Sequence, residues 1–233
     1  MKRLFSILCC ALAVLLTACE KPSDPNNSSS GGGSGSANGH EYVDLDLPSG
    51  TLWATMNVGA TSPEDYGDYF AWGETLLKDE YNWSTYKWCE GSYDTQTKYC
   101  IDSNYGTVDN KTTLDLSDDA AYVNWGSSWR MPTKAEQDEL RNTNYTTLTW
   151  TTQNGVKGYK VTSKTNGNSV FLPAAGYRND SSLNGAGSYG DYWSSSLDTS
   201  YSFNAYYLYF NSSNVDWSYG NRRYGRSVRA VLR

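Results

Sequence analysis

The sequence predicts an α+β domain: two short helices mid-chain, a mixed antiparallel sheet that occupies the C-terminal half, and long irregular loops between elements. Three observations carry this expectation. A capping box opens a helical pattern at Thr133. Period-two alternation dominates after Thr146. Between Tyr66 and Tyr105 neither period holds, and Trp72, Trp83 and Trp88 stand among polar residues, which predicts loops packed by their own aromatics.

At the start, Lys2 and Arg3 precede an apolar run from Leu4 to Leu16 and small residues before Cys19, the anatomy of a secretory signal (residues 1–18) too short to span a bilayer. Leu16, Thr17, Ala18 and Cys19 resemble the bacterial lipobox. That resemblance implies that Cys19 is acylated and becomes the N-terminus of a lipoprotein anchored in the bacterial outer membrane at the cell surface. A plain secreted protein with a spare cysteine is the alternative. Residues 19–39 are dominated by Ser, Gly, Asn and Pro and read as a disordered tether, with a mean reach of roughly 25 Å. Residues 40–233 then form one ligand-binding domain, within the normal size range.

Loss of the signal removes Lys2 and Arg3 and no acid, so the net charge moves from −6 to −8. An acidic chain argues against a nucleic-acid partner. From Gly176 onward there are six Arg, no Lys and four Asp, so the C-terminal part is the less acidic one. Cys89 and Cys100 remain as an even pair in an exported chain, and a disulfide between them, closing a short loop, is expected at about 2 to 3 kcal/mol; two free thiols are the alternative. Two thiols with a single histidine, His40, do not make a zinc site, and neither metal nor cofactor is expected.

Glu41 to Leu47 alternates as a first strand, and Pro48, Ser49 and Gly50 turn the chain into Thr51 to Val58. Ser117 is placed to cap a helix through Asn124, with Asp118 and Asp119 at its positive end. The second helix starts at Thr133, behind Pro132, with Ala135 and Leu140 on its apolar side. Strands are expected at Thr146–Thr152, Gly158–Ser163, Ser169–Ala174, Tyr192–Ser196, Ala205–Phe210 and Ser227–Leu232. Asn154-Gly155 and Asn166-Gly167 supply turns.

The run Gly176–Arg229 has the composition of a recognition surface. From Tyr201 to Tyr224, 14 of 24 residues are Tyr, Asn or Ser. Tyr gives stiff amphipathic contact, and Ser and Asn give adaptable hydrogen bonding. A Tyr-rich sheet with a polar outer face is the alternative, since aromatics favour strands in any case.

Four motifs in order, Leu47–Ala60 (LPSGTLWATMNVGA), Gly126–Thr133 (GSSWRMPT), Tyr192–Ser196 (YWSSS) and Gly225–Val231 (GRSVRAV), resemble the Fibrobacter succinogenes major paralogous domain and the variable lipoproteins diversified by retroelements. Both are related to the C-type lectin fold. The resemblance implies a C-type lectin-like domain whose terminal strands pair, with Glu41–Leu47 beside Ser227–Leu232. It also implies a binding face near the C-terminus made of residues reachable from asparagine-type codons. Carried over by position, ligand contacts fall at Asn179, Ser181, Asn184, Ser188, Asp191, Asp198, Ser200, Tyr201 and Asn204. Tyr207, Tyr209, Asn211, Asp216, Ser218, Tyr219, Asn221, Arg223 and Tyr224 extend the same face, while Trp193, Leu208, Phe210 and Val215 read as framework. Alternation supports part of this, since Leu208 and Phe210 point away from Tyr207, Tyr209 and Asn211. Calcium-binding lectin strings such as Glu-Pro-Asn and Trp-Asn-Asp are missing, as are C-terminal cysteines of the formylglycine-generating type.

With no histidine beyond His40, Ser-His-Asp and Cys-His catalysis is closed. Paired carboxylates among Asp191, Asp198 and Asp216 would be needed for a glycan-processing enzyme. The expected function is a surface receptor or adhesin that binds an extracellular protein or glycan without chemistry. A structural surface or filament-associated subunit is the alternative.

Overall fold

A computed structural model describes residues 33–232; the signal, Cys19 and the tether as far as residue 32 concern residues outside that range. The chain opens with β1 (Ser34–Ala37) and β2 (His40–Asp44), joined by Asn38-Gly39 at φ of 49° and 80°. Asn-Gly favours this tight turn because both positions take positive φ. The tether boundary is thereby corrected. Ser34 to Ala37 lie within the segment expected to be disordered, yet they pair with His40 to Val43.

β3 (Leu52–Ala54) folds back on β2 through the Pro48–Gly50 turn, where the Gly50 N–H donates to the Leu47 carbonyl at 2.8 Å. Loops follow to residue 115, held as expected by their own aromatics. The Tyr86 hydroxyl donates to the Trp72 carbonyl at 2.7 Å and the Trp88 indole to the Gly73 carbonyl at 2.7 Å.

α1 (Ala120–Trp125) is capped by Asp119, not Ser117, which lies in a 3₁₀ turn over Leu116–Asp118. Asp119 wins the position because its two oxygens serve two elements. Oδ1 accepts from the Ala121 and Tyr122 N–H groups, and Oδ2 accepts from the Met131 N–H, which follows β4 (Trp129–Arg130). α2 (Lys134–Arg141) begins with the Thr133 capping box. Its Glu136 also receives both Arg130 guanidinium nitrogens and the Thr51 hydroxyl.

β5 (Thr146–Gln153), β6 (Val156–Ser163) and β7 (Ser169–Pro173) form one antiparallel sheet. β8 (Tyr177–Asn179) and β9 (Ser182–Asn184) form a small hairpin. β10 (Tyr189–Leu197), β11 (Asn204–Asn211) and β12 (Asn214–Asn221) form a second meander, in which β12 extends the sheet beyond the strands expected from alternation. The expected final strand is split. β13 (Gly225–Arg226) joins β8, and β14 (Val231–Leu232) enters the first sheet, whose order is β1-β2-β3-β14-β4. The terminal strands therefore share a sheet but do not pair. The short Pro48–Gly50 turn lays β3 against β2 first, so β14 is seated between β3 and β4.

Two apolar cores meet along this frame. One gathers Trp72, Trp129 and Trp193, the other Leu45, Trp53, Leu208 and Phe210. α2 lies across the β10–β12 sheet on the Leu208 side, where Gln137 donates to the Tyr192 and Trp193 carbonyls at 3.0 and 3.2 Å. The other side of that sheet carries Tyr207 and Tyr209 and is where the site forms.

Cys89 and Cys100 are both free, which corrects the expected disulfide. Each thiol is taken up by its own surroundings. Cys89 Sγ donates to the Trp83 carbonyl at 3.2 Å and Cys100 Sγ to the Asp102 carbonyl at 3.1 Å, while the Asp109 carboxylate accepts the Tyr99 and Cys100 N–H groups.

Candidate functional site

Register builds the site. β10 places Tyr189, Asp191 and Trp193 on one face, and β11 sets Tyr207 opposite Trp193 and Tyr209 opposite Asp191. Directly paired residues of antiparallel strands point to the same side. β8 brings Tyr177 alongside, and β13, paired to it, contributes Arg226. Tyr224 precedes β13 and closes the circuit. The rings form an unbroken arc: Tyr224 to Tyr177 at 5.3 Å, Tyr177 to Tyr189 at 6.2 Å, and Tyr189 to Tyr209 at 6.0 Å between centroids. They wall a cleft of about 310 Å³.

Its floor is an ion pair. Arg226 Nε donates to Asp191 Oδ2 at 3.1 Å, with the two side chains only 3% and 4% exposed. The guanidinium lies 3.8 Å from the Tyr207 ring centre and 4.2 Å from that of Trp193. Asp191 Oδ1 and Arg226 Nη1 have no partner. A buried polar atom without a partner costs about 1 to 3 kcal/mol, so two side by side at the base of a cleft is an unusual arrangement to retain. Burial pushes the Asp191 carboxyl above its ordinary range and outweighs the attraction of Arg226. Burial also raises the Tyr177 and Tyr189 phenols, which stay protonated at neutral pH.

Gly220 makes room for the guanidinium. A Cβ there would stand 2.9 Å from Arg226 Nη2 and 3.3 Å from Tyr207 Cε1. Larger clefts of about 540 and 580 Å³ lie beside Arg141 and beside Arg178, but no buried, unpartnered polar atom lines either.

The expected contact set does not form one face. Asp191, Tyr207, Tyr209 and Tyr224 line the cleft, and Asn221 meets its edge with its side chain bonded to Asn204 on the Tyr206 face. Tyr219 borders it along β12, but register sets its ring opposite Tyr206 on the other face of the sheet. Arg223 and Asn179 form a shoulder: Arg223 Nη1 donates to Asn179 Oδ1 at 2.8 Å and the guanidinium lies 4.4 Å from the Tyr224 ring. Ser181 precedes β9, Asn184 is its last residue and Ser188 lies in the loop after it. Ser200 and Tyr201 are exposed in the β10–β11 connection, with Tyr201 against Tyr105 and Phe203.

Others serve turns and packing. Asp198 is 2% exposed and its Oδ1 accepts the Ser200 N–H at 2.9 Å, and Asn204 accepts from Asn221 at 3.0 Å. Asn211 Oδ1 closes the β11–β12 turn by accepting the Ser213 and Asn214 N–H groups. Asp216 pairs with Arg141 at 3.1 Å, and Ser218 stands opposite Tyr207 in register.

Sequence reasoning missed Tyr177, Tyr189, Gly220 and Arg226, while Trp193, read as framework, is a fully buried core residue. The alternation Tyr189/Asp191 against Tyr207/Tyr209 was a usable signal. Arg226 was not legible, because its partner Asp191 lies 35 positions away and no local period links them. Among the described residues, no group of three or more His, Cys, Asp or Glu could hold a metal ion. His40 stacks on Trp125 at 3.9 Å.

A family model described as a domain of unknown function, DUF8237, matches residues 150–231. That span includes every residue lining the cleft, from Tyr177 to Arg226, and leaves out the loops before residue 115. Comparisons with curated proteins and with solved structures returned no match.

Proposed function

We propose that the chain is a lipid-anchored surface protein of the bacterial outer membrane, a receptor or adhesin that binds an extracellular protein or glycan in the tyrosine cleft without chemistry. The observation that carries this reading is the buried Asp191–Arg226 pair, with a spare acceptor and a spare donor, at the base of an arc of tyrosines. Recognition energy concentrates in buried Tyr, Trp and Arg held in such pockets. Absence of catalysis is supported by the lining itself. A glycosidase needs two facing carboxyls about 5 to 9.5 Å apart, and Asp191 is the one acidic residue that lines the cleft.

The C-type lectin-like reading of the fold belongs to the same proposal. Support comes from the two helices, the antiparallel sheets and the return of β14 into the sheet that begins the domain. The anchor and the retroelement origin rest on the motifs. Cys19→Ala should release soluble protein, and the gene should lie near a reverse transcriptase and a second copy of its 3′ end.

The binding reading is tested with Tyr209→Ala on panels of extracellular glycans and matrix proteins. Affinity should fall by about tenfold or more, with Tm within about 2 °C of the parent. A ligand bound equally well by the variant would place recognition elsewhere.

A further inference from the structure

Resting on the reading of the cleft as a ligand site, the chemistry of its floor and walls narrows the ligand class. We infer that the cleft takes an uncharged pyranose of a glycan, whose two neighbouring hydroxyls bind the Asp191–Arg226 pair while a C–H face of the sugar lies on the tyrosine arc.

Cations are disfavoured because the aromatic cage already holds one. The Arg226 guanidinium lies within 5.6 Å of the ring centres of Tyr177, Trp193, Tyr207 and Tyr224, the position a ligand ammonium would take. Anions are disfavoured because Asp191 shares the floor, so an incoming carboxylate or phosphate would have to displace one negative group from the guanidinium and stand beside it in a low-dielectric pocket. The floor has one spare donor, Nη1, and one spare acceptor, Oδ1, both buried to within 1 Å². A hydroxyl both donates and accepts, and a vicinal pair can satisfy the two atoms together.

The walls agree with the floor. Tyr177, Tyr189, Tyr209 and Tyr224 present stiff rings with polar tips, which suits a ligand that is apolar on a face and polar around its edge. A cleft of about 310 Å³ suits a small ligand moiety, not a helix or strand of a partner.

The test uses the lipid-free secreted chain and immobilised neutral oligosaccharides of glucose, galactose, mannose and N-acetylglucosamine. Sialylated and amine-bearing counterparts and deglycosylated matrix proteins complete the panel. Parent, Gly220→Ala and Tyr209→Ala are compared, and saturation-transfer NMR reports which sugar protons lie against tyrosines. A neutral sugar should bind, with its ring C–H protons saturated. Loss of either floor-facing hydroxyl, or either substitution, should weaken it by about tenfold or more. The charged counterparts should bind more weakly by a similar factor.

Gly220→Ala adds a methyl that meets the Arg226 guanidinium and the edge of Tyr207, so it disturbs the floor directly; Tyr209→Ala carries the test if the Tm of Gly220→Ala falls by more than about 2 °C. If no neutral sugar binds at millimolar concentration, or a charged one binds better, the ligand class is wrong. Should a deglycosylated protein then bind in a manner sensitive to both variants, the cleft remains a binding site and only the sugar assignment falls. A sugar that binds the parent and both variants alike would overturn the cleft reading as well.

Discussion

Arg222 and Arg226 sit four residues apart, each buried and each lying over several aromatic rings: Trp72, Tyr86 and Tyr99 for the first, Trp193, Tyr207 and Tyr224 for the second. Around Arg222 the guanidinium is consumed. It donates to the Tyr86 hydroxyl and to the Lys98, Tyr99 and Ser202 carbonyls at 2.8 to 3.0 Å, stitching the long loops to the β11 entry without any carboxylate. Around Arg226 the same group makes one hydrogen bond and leaves Nη1 unpartnered beside an open cleft. Saturated polar groups hold a fold together, and unsaturated ones at the base of a cleft are available to a ligand.

Two carboxyls repeat the contrast. For Glu136, burial pushes the pKa up, but the Arg130 hydrogen bonds, the Thr133 N–H and the Thr51 hydroxyl overcome it and hold the group at about 2. Asp191, with Arg226 as its sole partner, is displaced in the opposite direction. What differs is the number of donors that reach the carboxylate, together with the deeper burial of Asp191.

The comparison breaks most sharply at Arg222. Arg222→Met strands three carbonyls and a hydroxyl, and should cost about 4 kcal/mol in urea unfolding, with the aromatic loops losing protection in hydrogen exchange. A loss under about 1 kcal/mol would show that the loops do not depend on that clasp.

Glu136→Gln should cost about 3 kcal/mol at neutral pH. The folded value of about 2 lies below the ordinary 4.5, so the contribution is present above 4.5 and is lost as pH falls through 2. Unfolding curves of parent and variant should therefore converge between pH 4.5 and 2, and a constant gap over that window would refute the assignment.

Arg226→Met leaves a buried carboxylate without its counter-charge, at about 3 kcal/mol near pH 8. Because the Asp191 pKa is already raised and rises further without Arg226, the penalty should shrink as pH falls and the carboxyl protonates. Equal penalties at pH 5 and pH 8 would mean that the pair contributes packing alone. The smallest effect on stability is expected from Gly220→Ala, below about 1 kcal/mol, even though it covers Arg226 Nη2. A larger loss would show that this edge of the cleft is as tightly packed as the Arg222 clasp.

Much of the local structure was legible. The Thr133 capping box, the Asn154-Gly155 turn and the alternation of β5, β6 and β11 are short-range signals, set by backbone donors and side-chain period. Asn38-Gly39 carried an equally readable hairpin signal, masked by the Ser and Gly around it. Half of the site was legible for the same reason, since Tyr207, Tyr209 and Asp191 follow from strand alternation.

What the sequence by itself determined is thus which residues share a strand, a turn or a helix cap, because those depend on groups within a few positions of one another. Only the tertiary structure decided which face of the β10–β12 sheet α2 covers, and hence that Tyr207 looks into a cleft while Tyr219 does not. It also decided that β14 enters between β3 and β4, that Cys89 and Cys100 stay apart, and that Arg226 meets Asp191 across 35 positions. Such choices turn on packing volume and on the competition among many buried polar groups for few partners. Period and composition do not encode that competition.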